Sequence, residues 1–370
     1  MLAGNNKISA TQLKKLIVFD IISISIMIVP EIASTGAGKD GLISILLSSI
    51  LALIYGFLLL YFSKNVTTNY FSYSSEIVGR FLTFVFGILY MMKLFIFTLF
   101  AVNLFSNIIN ATLLPNTSYK IIVLSLIALS FYLSTKELEV KARLTELLYF
   151  VVLIPVVILF LLGIPNVNPS NLLPLFTNSS TNILQTGVYV FLTFSALDFV
   201  LFASPFAGKE NYGLKKKNML FAILTITFIH IIIFLTVVGL LGTRGAKQEV
   251  WSTITVLQML EVPGGFIQRL DAIVLMFWLI SIFSIIGSLF YYFRYITEGI
   301  SRNRGGNWCT FLFAVIAFIC SIWQIKTELL MNYFSIYLLY LGLPQSILIP
   351  LIIMIIANYK SRKAKKGEAI

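Results

Sequence analysis

Three stretches of this 370-residue chain, Gly41 to Ser63, Ala272 to Phe293 and Leu329 to Tyr359, contain no charged side chain. About 20 such residues cross the hydrocarbon of a bilayer as a helix, and no water-facing shell can be built from them. With 58% hydrophobic and 11% charged residues overall, the composition excludes a soluble enzyme and points to an integral membrane protein. Barrel strands would be about half as long and would alternate in polarity, so the fold class is all-α.

The apolar pattern predicts ten transmembrane helices: Gln12 to Ser34, Gly41 to Ser63, Phe81 to Ala111, Ile121 to Thr135, Glu146 to Ile164, Leu184 to Ala203, Asn218 to Gly242, Asp271 to Ile296, Trp308 to Gln324 and Phe334 to Asn358. A cytoplasmic N-terminus puts 20 of the 27 lysines and arginines on the inner side, among them Lys14, Lys15, Lys141, Arg143, Lys215 to Lys217 and the tail from Lys360 to Lys366. Six fall outside, and Lys93 lies within the third span. Because this bias orients membrane helices, both termini are expected in the cytoplasm. Anionic lipid at the helix ends then accounts for the net charge of +12 better than nucleic acid does. Cys309 and Cys320 share one span, too far apart along it for a disulfide, and read as packing residues. Asp20 interrupts the first apolar segment and further spans follow it, so no cleaved leader is expected.

Ten spans divide into two groups of five, 1–164 and 165–370, within one transmembrane domain, and an odd number per group inverts the second half relative to the first. In such inverted repeats the first helix of each half is broken near the midplane. Both candidates carry breaking residues: Ser23, Ser25 and Pro30 in span one, and Ser195, Asp198, Ser204 and Pro205 in span six.

Particular residues carry a resemblance. Lys7, Ile8, Ser9 with Gln12, Val29 with Pro30, and Ala37 to Gly41 are similar to the opening of the endospore germination permease family, the B subunits of spore germinant receptors. Pro165 to Val167, Asn171 to Pro174, Phe194 to Asp198, Trp251, Val262 to Phe266, Arg269 and Trp278 extend the likeness along nearly the whole chain. The family is in turn similar to amino acid, polyamine and organocation transporters with a ten-helix, broken-helix core. The resemblance implies a spore inner-membrane location, assembly with an A subunit and a lipoprotein C subunit, and recognition of small germinants such as amino acids. Two glycines common in the family's first helix are Ser23 and Ser25 here, Glu31 follows the proline where arginine is common, and Ala196 and Asp198 replace a glycine and a glutamate in span six. Germinant identity therefore does not carry over.

Ionisable groups inside a membrane need a partner or a use. Asp198 reads as a ligand or coupling residue, or as a cap on broken backbone. Lys93 reads as a counter-charge for a ligand carboxylate, or as half of a buried pair with Asp198 or Glu31. Ser23, Ser25 and Ser195 can offer hydroxyls to a ligand beside Phe194 and Ala196, or bond their own helices; Ser284 joins them because the resembling fold brings span eight to the site. His230 is a proton relay or an interhelical bond, and Glu31 a gate or a solvated end.

Gly36 to Gly41 fits G-x-G-x-x-G, but it joins two spans and lacks the βαβ setting a dinucleotide needs. One histidine and two membrane cysteines cannot build a zinc site, and no nucleophile motif is present; no cofactor, metal or enzyme activity is expected. The amphipathic segment Gln248 to Gln268 is expected on the extracellular surface, as a partner contact or a packed lid. Three functions follow: a germinant-sensing subunit, an amino acid and cation transporter, or a structural subunit with a decayed pocket.

Overall fold

A computed structural model describes residues 7–66, 69–207, 212–249, 251–260, 270–301 and 305–367. Fourteen α-helices occupy them: α1 Ala10–Ala37, α2 Gly41–Phe62, α3 Tyr70–Val78, α4 Arg80–Thr112, α5 Tyr119–Ser134, α6 Leu138–Gly163, α7 Ser180–Leu192, α8 Phe199–Ala203, α9 Tyr212–Gln248, α10 Ser252–Met259, α11 Leu270–Ser301, α12 Gly306–Ser321, α13 Thr327–Tyr337 and α14 Leu343–Gly367. Seven stretches are long and apolar enough to cross a membrane, and one of them, Ala10–Phe62, holds both α1 and α2. The apolar helices α5 and α12, at 16 residues each, are shorter. Large apolar side chains such as Ile54 of α2 and Leu147 and Phe150 of α6 sit exposed. Only lipid suits such a surface, and the protein is a multi-pass membrane protein.

Helices from the two halves interleave. α1 packs against α9, α11, α6 and α7, and α11 packs against α4 and α5. Ser9 starts α1 with a capping box, accepting from the Gln12 N–H at 3.0 Å while Gln12 Oε1 accepts from the Ser9 N–H at 2.9 Å. Between α1 and α2 the chain turns sharply at Gly36 to Gly41, where Gly38 takes a positive φ of 58°. A Cβ on Gly41 would stand 2.6 Å from the Phe234 ring and 2.9 Å from the Ala33 carbonyl, so this position admits glycine alone. The literal dinucleotide motif is thus a close helix-to-helix turn. The Asp40 carboxylate fastens it to the connection ahead of α7, accepting from the backbone N–H groups of Thr177 at 2.9 Å and Asn178 at 2.8 Å.

Span one departs from expectation. The inverted-repeat pattern predicts a break there, yet α1 is one continuous α-helix through Pro30. Proline cannot donate to the carbonyl four residues earlier, which is Ile26, and that carbonyl instead accepts from Thr253 Oγ1 of α10 at 3.1 Å. The Ser23 hydroxyl bonds back to the Phe19 carbonyl at 2.6 Å and to the Ser281 carbonyl at 2.8 Å. Thr253 thereby fills the one gap Pro30 leaves, while Ser23 ties α1 to α11. Thr253→Val should lower stability by about 1–2 kcal/mol, read as a reduced melting temperature in detergent. An unchanged melt would mean that the Ile26 carbonyl needs no help from α10.

Span six is irregular as expected. α7 tightens into a 3₁₀ turn over Thr193–Asp198, α8 lasts five residues, and a second 3₁₀ turn covers Ser204–Ala207. Two boundaries change the picture of the basic loops. α6 begins at Leu138 rather than near Glu146, so Lys141, counted above with the cytoplasmic loops, is buried inside the bundle. Lys215 is also buried, and its ammonium donates to the Ser204 carbonyl at 2.7 Å. The part of segment 248–268 that is described forms α10, whose Thr253, Ile254, Val256 and Leu257 are buried against α9, α1 and α11. Residues 250 and 261–268 of that segment, Arg269, Lys209, Arg302 and Arg304 lie outside the described residues, as do the tail side chains beyond Lys360.

Candidate functional site

A 3₁₀ helix has three residues per turn, so side chains three apart stack along one face. The turn Thr193–Asp198 thereby sets Ser195 one turn from Asp198, facing the same way. The two residues meet different surroundings.

Asp198 enters a buried polar cluster drawn from four elements. One carboxylate oxygen accepts from the Tyr55 hydroxyl of α2; the other forms an ion pair with Lys93 of α4 and accepts from Ser346 Oγ of α14 at 2.7 Å. Lys93 uses its remaining donors on Ser346 Oγ at 2.7 Å and on the Gly342 carbonyl at 3.1 Å. That carbonyl lies in a π-helical turn, Leu338–Gly342, which widens where Pro344 cannot donate to Tyr340. Tyr55, Lys93 and Asp198 are each 3–4% exposed and Ser346 is fully buried. A buried ion pair is tolerable only when its other hydrogen-bonding capacity is met, and here all three ammonium donors have acceptors. Of the two partners the sequence offered Lys93, the fold selects Asp198 over Glu31.

Ser195 faces a narrow cleft of about 20 Å³ bounded by Ile24, Ile28 and Ile32 of α1, Phe97 and Phe100 of α4, Tyr189, Leu192 and Thr193 of span six, and Met331, Phe334, Ser335 and Leu338 near α13. Phe100 and Phe334 stack across it with ring centroids 3.9 Å apart. Ile32, Tyr189, Met331 and Ser335 are shared with a wider mouth that adds Glu31, Thr35, Thr186 and Asn332. Glu31, half-buried there, forms no ion pair among the described residues. The mouth, at about 380 Å³, has the volume of a small-molecule site, while the cleft beneath it has room for about one water. The cleft wall is mostly apolar, with hydroxyls at Thr193, Ser195, Ser335 and Tyr189.

The other expected site residues lie elsewhere. Ser25 bonds His230 Nε2 of α9 at 2.7 Å, and the imidazole meets the Phe194 ring edge-on at 5.7 Å. Ser23 joins α1 to α11, its carbonyl also accepting from Trp278 Nε1 at 2.8 Å. Ala196 is buried in the 3₁₀ turn. Ser284 belongs to a second buried cluster in which Asp20 of α1 pairs with Lys141 of α6 at 3.4 Å and accepts from Ser284 at 3.2 Å and Ser288 at 2.6 Å, both on α11.

Tyr55, Ser346, Asp20, Lys141 and Ser288 were missed in the sequence. Asp20 carried a signal, as the one charge inside the first apolar run, and Ser284 with Ser288 carried another, since an i, i+4 spacing puts both on one helical face. Tyr55 and Ser346 carried none.

Residues 7–329 match the family described as Spore germination protein. Three curated proteins of Bacillus subtilis (strain 168) are similar at about a quarter identity. Spore germination protein YndE is 24% identical over 295 residues, covering 79% of this chain and 80% of its own length. Spore germination protein A2 is 24% identical over 345 residues, 92% of this chain and 93% of its own. Spore germination protein B2 is 25% identical over 280 residues, 75% of each.

Proposed function

We propose, from the premise that this chain belongs to the spore germination permease family, that it is the sensing subunit of a germinant receptor in the spore inner membrane. In this reading ten spans form two inverted five-helix halves, 1–164 and 165–370, with both termini cytoplasmic. It performs no catalysis. A small germinant, such as an amino acid, binds in the mouth between α1, span six and α13 with its side chain directed down the cleft toward Ser195, and the change passes to an A subunit and a lipoprotein C subunit.

One observation carries the proposal: the cavity reaches the irregular 3₁₀ turn at Ser195, one turn from the Lys93–Asp198 pair. A ligand there touches backbone already outside a regular α-helix, which is the element best able to change shape. Because Lys93 and Asp198 neutralise each other, neither is free to hold a ligand charge without breaking the pair. The apolar wall therefore favours an uncharged side chain, while Glu31 at the mouth attracts an ammonium group. Binding signals only if one conformation holds the ligand better, and moving a population from 1:99 to 99:1 needs about 5.5 kcal/mol of such difference.

Thermal-shift measurements on purified protein against a panel of amino acids test the reading. Apolar amino acids should raise the melting temperature, and Ser335→Trp, which fills the mouth, should weaken binding about tenfold to a hundredfold, read as a loss of the ligand-induced shift relative to the variant's own unliganded melt. No shift with any amino acid, or a full response in the tryptophan variant, would remove the cavity from consideration. Uptake of labelled ligand by the isolated chain in proteoliposomes would instead favour a transporter.

A further inference from the structure

We infer that water from the lysine-rich face penetrates between α2, α3, α4 and α14 as far as the Lys93–Asp198 pair, so that the pair exchanges protons with that side and not with the ligand cavity. The inference is independent of what the outer cavity binds.

A second cavity, of about 120 Å³, lies toward that face and is lined among others by Lys64, Asn65, Tyr70, Tyr73, Pro350 and Asn358. Two buried hydroxyls near it and the pair have no hydrogen-bond partner among the described residues. Tyr70 of the cavity wall and Tyr90 of α4 are each 1% exposed, and neither hydroxyl has a hydrogen-bond partner. The Ser346 carbonyl beside them lacks its regular helical donor. Pro350 stands four residues after Ser346 in α14 and has no N–H to offer it. Ser346 reaches the ion pair with its hydroxyl, and Pro350 lines the inner cavity. One turn of α14 thus connects the two, a rise of about 6 Å.

Tyr70 and Tyr90 flank the Phe202 ring, with centroids 6.1 and 5.4 Å from it. Tyr90 stands three residues before Lys93 in α4, on the same side of the helix. Left dry, each of these groups would bear its whole desolvation penalty; buried water bridges such groups when two to four polar partners converge. Tyr70, Tyr90, Ser346 and the ion pair supply them in sequence. The ligand cavity offers no such route, because the pair's hydrogen-bond partners, Tyr55, Gly342 and Ser346, do not line it.

Cysteine accessibility decides the matter. In a Cys309→Ala, Cys320→Ala background, Ser346→Cys is exposed to a membrane-impermeant cationic methanethiosulfonate in right-side-out and inside-out vesicles. Asn358→Cys at the cavity mouth reports which face is which. Ser346→Cys should react from the Asn358 face about tenfold or more faster than from the other, because only a hydrated thiol ionises and reacts. A thiol at 346 that is inert from both faces while Asn358→Cys reacts, or that reacts faster from the opposite face, overturns the inference. If Ser346→Cys does not accumulate in the membrane, Tyr90→Cys is judged by the same criterion.

Discussion

Lys93→Met should cost roughly 3–5 kcal/mol of stability, because it leaves the Asp198 carboxylate buried with only the Tyr55 and Ser346 hydroxyls for company. Methionine nearly matches lysine in length, so the loss reports the charge and not a cavity. The expected results are a clear fall in melting temperature in detergent and a reduced amount of folded protein in the membrane. Removing the carboxylate as well, in Lys93→Met with Asp198→Leu, should recover much of the loss, since an apolar pair of similar volume is often as stable as a buried ion pair. A single variant that melts like the parent would show that the pair is not what joins α2, α4, span six and α14.

Asp20→Ala should be nearly as damaging, at about 3 kcal/mol or more, since it strands Lys141 and deprives Ser284 and Ser288 of their acceptor. The loss is expected toward the lower end. Lys141 lies in the first turn of α6, from which a long side chain can turn its ammonium toward the membrane surface; Lys93 sits mid-helix in α4. The two clusters use different helices and share no residue, so the losses should add. Melting curves of the two single variants and their combination check this directly. If the double variant is no worse than either single, the clusters are coupled and the bundle has one polar core, not two.

How much of this was readable in advance follows from the reach of each interaction. The irregularity of span six was visible because Ser195, Asp198, Ser204 and Pro205 act on their own stretch of backbone. The same local reasoning failed for span one. Pro30 does remove a hydrogen bond, but the group that replaces it, Thr253, is 227 residues away, and no pattern within α1 announces it. Lys141 was misplaced for a related reason. A lysine at a helix end normally reaches water, and only the approach of Asp20, 121 residues distant, makes burial tolerable.

The sequence by itself determined that this chain lives in a membrane as a helical bundle, because hydrophobic burial and the need to satisfy every backbone group act on each segment alone. It also marked Lys93 and Asp198 as charges in need of partners. Tertiary structure decided that they are each other's, across 105 residues of chain, that Tyr55 and Ser346 complete the cluster, and that Ser195 faces a cavity instead. A charge inside the bilayer announces its cost wherever it stands, but what offsets that cost is set by the neighbours packing brings within hydrogen-bonding distance.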